Sequence, residues 1–340
     1  MIVSEKISRN FTIFAEKECA GSSRLYECLS YEIAKDDAIL ELSSHIPQDQ
    51  PKPNLLFASV QYLLNNSNSL ELRTYYPSFV SNAKNPEEAF PHFKAFCLEH
   101  WDSLILLFQT KLVQTNEVRR CAYLYPIFTE IFAKHNKPLT LIEIGTSAGL
   151  QLGLDQYAYQ YNEGNLIGKI DSSVLIESTN KGKALPESIK TPPIISKRVG
   201  IDLHTNNVKN TDDVAWLNAL IWPEHTDRRK IFNAATNVIQ NLEIELIDGN
   251  AVELLEDIVK QVNKDSIICV FHTHVANQIP FVQKEQLVKN LQTISTEREI
   301  YHIYNNLFDA DLHRDYFYKK ICDEHIFERP DGHARWFVWG

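Results

Sequence analysis

The sequence has no long apolar run: LILLF at 104–108 is far too short to cross a bilayer, so no membrane span is expected. Its six cysteines (Cys19, Cys28, Cys97, Cys121, Cys269, Cys322) have no C-x-x-C spacing. They read as reduced thiols, not as a disulfide frame or a zinc site, and no metal is expected. Basic clusters are scarce as well. RRK at 228–230 and RR at 119–120 are short and flanked by acids, in a chain of formal net charge -10. A field of that sign repels phosphate backbones, so nucleic acid is not an expected partner. The amino-terminal MIVSEKISRN is polar with no apolar signal region behind it, which points to the cytoplasm.

What is present is an ordinary globular composition, 44% hydrophobic and 23% charged over 340 residues. Residues 1–135 read as a helical cap or lid region. FTIFAEKECAGSSRLYECLSYEIA has apolar residues three and four apart and a break near Gly21, and NLLFASVQYLLNN and NEVRRCAYLYPIFTEIFAKH continue the period. From 136 to 340 the pattern changes to strands alternating with helices: LTLIEIG at 139–145, RVGIDL at 198–203, IELIDG at 244–249, SIICVFH at 266–272 and IYHIYNN at 300–306. Such alternation implies α/β architecture with a mostly parallel sheet. The insert at about 161–197 contains SSVLIES and PPIISKR, which suit an extra hairpin or rim strand, and HARWFVWG suits a closing strand.

The stretch LIEIGTSAGLQL at 141–152 admits two chemistries. GTSAG satisfies G-x-S-x-G, a hydrolase elbow with Ser147 as nucleophile, and Asp248 with a later histidine would follow in triad order. Against that reading, Glu143 lies where an elbow strand is normally apolar, and no H-G-G-type stretch precedes Ser147. The same letters read as strand, glycine turn and helix start, a cradle for a cofactor built on Gly145, Ser147 and Gly149. Asp202 then ends the second strand, where an acid can grip ribose hydroxyls, and Asp248 and Asn250 end the third. G-x-G-x-x-G and G-K-[ST] are both absent, and carboxylates around the turn suit a sulfonium and an ammonium better than a pyrophosphate. S-adenosylmethionine is therefore the expected cofactor; a turn that merely serves packing is the plain alternative.

Several blocks resemble a known family. QTNEVRR at 114–120, EIGTSAGLQLGLDQYAY at 143–159, GIDLHTNNV at 200–208, WLNALIWPEHTDRR at 216–229 and DGHARWFVW at 331–339 resemble a bacterial group catalogued as domain of unknown function 2332. That resemblance implies a Rossmann-like, class I methyltransferase-type fold. Thr146 and Gln151 stand where the family would more often have Ala and Asn.

Polar residues beyond the turn complete the candidate site. Thr115 or Asn116 suits a helix cap with Glu117 in the first turn, while Gln114, Asn116, Glu117 and Arg120 could equally line the cofactor cleft. His272 and His274 follow the fourth strand, where either could act as general base; on a continuing strand both rings would share one face. Arg228 and Arg229 read as an anion clamp or a solvated face, and His333 and Trp336 as an edge of the acceptor pocket. The expected activity is methyl transfer from S-adenosylmethionine to a small-molecule substrate. The alternatives are a serine hydrolase using Ser147 and a non-catalytic cofactor-binding protein.

Overall fold

A computed structural model describes residues 3–66, 70–114, 117–319 and 321–340. The chain forms two compact units, Met1–Thr115 with Asn210–Lys230, and Asn116–Lys209 with Ile231–Gly340. Among the described residues no helix is long and apolar enough to cross a membrane.

The first unit contains no strand among its described residues. Its first helix, Val3–Phe14, ends ahead of the break that the sequence places near Gly21, which has φ +72°. Ser23 then caps the helix Arg24–Ile33 by accepting from the Tyr26 N–H at 3.2 Å. Aromatic rings fill the core, with Tyr26 stacked on Phe57 at 4.1 Å between centroids. The WLNALIWPEHTDRR block lies here and is largely internal. Trp216 is buried and donates its indole N–H to the Leu112 carbonyl at 2.8 Å. Glu224 accepts from the Ser23 hydroxyl and the Leu25 N–H at 2.6 and 2.8 Å. Arg229 donates to the carbonyls of Asn218 and Ile221. Its guanidinium holds this unit together and is not an open anion clamp.

Among its described residues the second unit carries eleven strands: β1 Leu139–Ile144, β2 Ala158–Tyr161, β3 Ile167–Gly168, β4 Leu175–Asn180, β5 Ile195–Asp202, β6 Glu245–Asp248, β7 Ile267–His272, β8 Ile300–Asn305, β9 Leu312–Tyr318, β10 Ile321–Phe327 and β11 Trp336–Phe337. Seven form a sheet in the order β10-β9-β8-β7-β1-β5-β6. From β6 to β8 all neighbours are parallel, as the alternation of strands and helices predicts. Strand order reverses at β1, which is buried throughout and pairs with β5 on one side and β7 on the other. The helices Ala251–Lys260 and Phe281–Ile294 bury Leu255, Leu287 and Leu291 against Ile142, Val199 and Val270 on one face. On the other face the helix Cys121–His135 sets Phe128 edge-on to Phe271.

Two local expectations are corrected, and the sheet is wider than the apolar runs mark: beyond IYHIYNN, β9 and β10 continue it as antiparallel neighbours. Within the insert, SSVLIES becomes β4, parallel to β2, but IISKR simply begins β5, and the terminal aromatic strand is the two-residue β11 beside β4. The glycine turn is not followed by an α-helix. Leu150–Gln156 instead wind in tight three-residue turns. Side chains take the carbonyls that an α-helix would use: Tyr157 donates to Leu150, Tyr159 to Leu154 and Arg198 to Leu152.

Arg198 also grips Asp155 with paired contacts of 2.7 and 2.8 Å, both side chains largely buried. Arg198→Met should leave a carboxylate buried without its partner and cost about 3 kcal/mol, measured by chemical denaturation.

Candidate functional site

The turn that leaves β1 is fixed from below. The N–H groups of Gly145 and Thr146 both donate to the Ile201 carbonyl on β5, at 2.8 and 3.2 Å. Gly145, Ser147 and Gly149 all adopt left-handed backbone, with φ of +71°, +51° and +72°. At Gly145 the missing side chain admits Val275, whose Cγ2 would lie 2.4 Å from an added Cβ. Tight packing against the 275–278 turn is thus one reason for that glycine, as the plain alternative holds.

Glu143 lies on β1 under this turn and is buried, with one carboxylate oxygen accepting from the Thr146 hydroxyl at 2.6 Å. The other oxygen accepts nothing among the described residues. Burial pushes its pKa up to about 8, against the Thr146 hydrogen bond. Thr146 fits because its β5 neighbour is Gly200, where an added Cβ would come within 2.6 Å of the threonine side chain. Thr146 thus packs against Gly200 while its hydroxyl donates to Glu143.

The acids at the ends of β5 and β6 hold loops. Asp202 accepts from the Ser147 and His204 N–H groups at 2.8 and 3.1 Å. Asp248 accepts from Thr205 N–H at 2.8 Å. Asn206 closes the 203–206 loop onto the turn, donating its N–H to the Ser147 carbonyl and its amide to Ser147 Oγ. Ser147 is 2% exposed. Asn250 caps the helix Ala251–Lys260 through the Val252 N–H. Glu143, Gly145, Ser147, Gly149, Asp202, Asp248 and Asn250 thus share one end of the sheet, at the reversal of strand order where open α/β sheets bind ligands.

Beside them, at the ends of β7 and β8, lies a second polar group. Arg120 donates from Nε to the Gly332 carbonyl at 3.1 Å and from its terminal nitrogen to the Thr273 carbonyl and hydroxyl at 3.3 Å. The Gln151 amide donates to Thr273 Oγ1 at 3.0 Å and to the Glu117 carbonyl at 3.3 Å. Glu117 is buried, accepts from the Arg119 N–H at 3.2 Å, and holds His333 Nδ1 at 2.8 Å. That bond to a carboxylate places the histidine proton on Nδ1. His333 remains 42% exposed, so its ring can meet a solute.

The two sequence-nominated histidines part company. β7 ends at His272, and His274 turns away with φ +65°, so their rings do not share a face. His272 is fully buried, 5.1 Å from the His302 ring, and neither of its nitrogens has a hydrogen-bond partner among the described residues. Such a ring offers no surface to a substrate. His274 donates its backbone N–H to Asn305 at 2.8 Å, and its Nδ1 accepts from the Asn306 amide, leaving a buried Nε2 with no partner among the described residues. Burial, then the charges of Arg120 and Arg329, lower its pKa to about 3, so the ring stays neutral. Gln114 is half-buried in the first unit, and Asn116 lies outside the described residues. Sequence reasoning left Gln151, Thr273, Asn305 and Asn306 out of the site. Their signal is hydrogen bonding between distant segments, which no spacing encodes.

Burial lowers the His272 pKa to about 3 and that of His302 well below the usual value. Each therefore contributes stability that is complete above the unfolded pKa of about 6.5 and is lost as pH falls below it. For His272 the loss between pH 6.5 and 5 should be roughly 1.5 kcal/mol. Urea titrations of His272→Phe should show a correspondingly shallower acid dependence than the parent.

The chain belongs to the family described as uncharacterized protein conserved in bacteria (DUF2332), whose family model matches residues 8–339. Comparison with curated proteins and with solved structures gives no match.

Proposed function

We propose that this family member is a Rossmann-like, S-adenosylmethionine-dependent methyltransferase acting on a small molecule. The observation that carries the reading is Glu143, a buried carboxyl with one oxygen unengaged, under a left-handed turn at the reversal of strand order. A neutral acid of pKa about 8 is poised to ionise when a cation arrives beside it. Glu143 would hold the cationic end of the cofactor. Asp202 and Asp248 would hold its hydroxyls once the 203–206 loop yields their oxygens. When bound, the cofactor supplies an electrophilic methyl group.

The chain's own chemistry is positioning and proton removal. Glu117 fixes the His333 tautomer and steadies the imidazolium that forms when His333 takes a proton from an acceptor oxygen or nitrogen. Arg120 ties the 273 and 332 backbones together beside His333. His333, rather than His272, is the base in this proposal.

One observation favours a second reading: φ of +51° at Ser147 is the strained geometry of a nucleophile elbow. A serine hydrolase would label with a fluorophosphonate, and the label would vanish in Ser147→Ala.

Calorimetry with S-adenosylhomocysteine tests the principal reading. Binding should tighten between pH 6 and pH 8, with proton release, because the ligand's ammonium favours ionised Glu143. Glu143→Gln should weaken binding by about tenfold or more and remove the pH dependence. Absence of binding to the parent protein would end the proposal.

A further inference from the structure

The small sheet, β11-β4-β2-β3, has one face turned outward. Along β4 the exposed and buried positions alternate, so Glu177 and Thr179 project outward, and Gln160 of β2 pairs in register with Glu177. This face is hollow. A cavity of about 550 Å³ lies over it, lined by Arg119, Gln160, Glu163, Glu177, Thr179 and Arg335 among others.

Its charges are not balanced internally. Arg335 is spent on Asp331, with paired contacts of 2.9 and 2.8 Å. Arg119 is different: its guanidinium makes no hydrogen bond or ion pair among the described residues, and its Nε is buried without a partner. Glu163 and Glu177 likewise have no ion pair among the described residues. Exposed carboxylates without partners are ordinary on a surface. The outer nitrogens of Arg119, a lining residue of the hollow, have no protein acceptor among the described residues, and a guanidinium fork pairs bidentately with a carboxylate. The sequence places Arg119 in a turn that sends its neighbours elsewhere: Glu117 to His333 and Arg120 to Thr273 and Gly332.

We infer that this hollow is a binding site for a basic amino acid, with Arg119 taking its carboxylate and Glu163 and Glu177 its two ammonium groups. The unengaged protein charges are one positive and two negative, and such a ligand supplies the reverse. Gln160 and Thr179 offer further hydrogen bonds along the outward face. The site is on a different sheet from the crevice beside Glu143 and does not rest on the methyl-transfer reading.

L-lysine is the probe, titrated calorimetrically into the full chain, with cadaverine and hexanoate as partial ligands. L-lysine should bind, both partial ligands should bind at least about tenfold more weakly, and Arg119→Gln and Glu177→Gln should each cost about tenfold or more. Thermal melts of both variants check that the fold is retained. The inference is overturned if L-lysine gives no heat at millimolar concentration. It is also overturned if cadaverine binds as well as L-lysine, or if both folded variants keep the parent affinity.

Discussion

Two N–H groups, those of Gly145 and Thr146, converge on one carbonyl, that of Ile201, and most of the candidate site depends on that convergence. It pins the end of the central strand to its neighbour before the chain turns. The turn can then run left-handed through Ser147 and Gly149, with Asp202 receiving the Ser147 N–H. Because β1 is buried on both faces, the Glu143 carboxyl is largely stripped of water. It is kept there at an energetic cost that no packing requirement explains, and buried acids of raised pKa concentrate where chemistry occurs.

Much of the architecture was legible in the sequence because it is periodic. The five parallel strands β6, β5, β1, β7 and β8 follow from apolar, β-branched runs separated by helical ones, and the helices of the first unit from spacings of three and four. The pair β9 and β10 escaped notice for a physical reason. β9 buries His313 and Asp315 where apolar residues would mark a strand, and β10 is an exposed edge whose outward residues carry no pattern. The tight turns at 150–156 were equally hidden, because their carbonyls are satisfied by Tyr157, Tyr159 and Arg198 through tertiary folding.

The site was legible in its acids and glycines and only partly in its histidines. Period-two reasoning puts His272 and His274 on one face, but it holds only while the strand continues, and the left-handed His274 ends it. His272 then belongs to a buried stack with His302 and Tyr304, and Tyr304 in turn stacks on His313. The pairing of Glu117 with His333 spans 216 positions, so its members appear in the sequence as a helix cap and a residue near an aromatic terminus. The arginines of the 216–229 block looked available for a ligand because guanidinium groups usually are. At Arg229 the carbonyls of Asn218 and Ile221 take that capacity.

The separation of Glu117 from His333 also sets a timetable. At a synthesis rate of about 5–20 residues per second, His333 is made roughly 10–40 s after Glu117. Through that interval the Glu117 carboxylate lacks the imidazole it holds in the folded chain. β1, β5 and β7 are synthesised within the same interval, ahead of His333. A nascent chain can therefore hold its parallel core and its glycine turn while the histidine dyad is still missing.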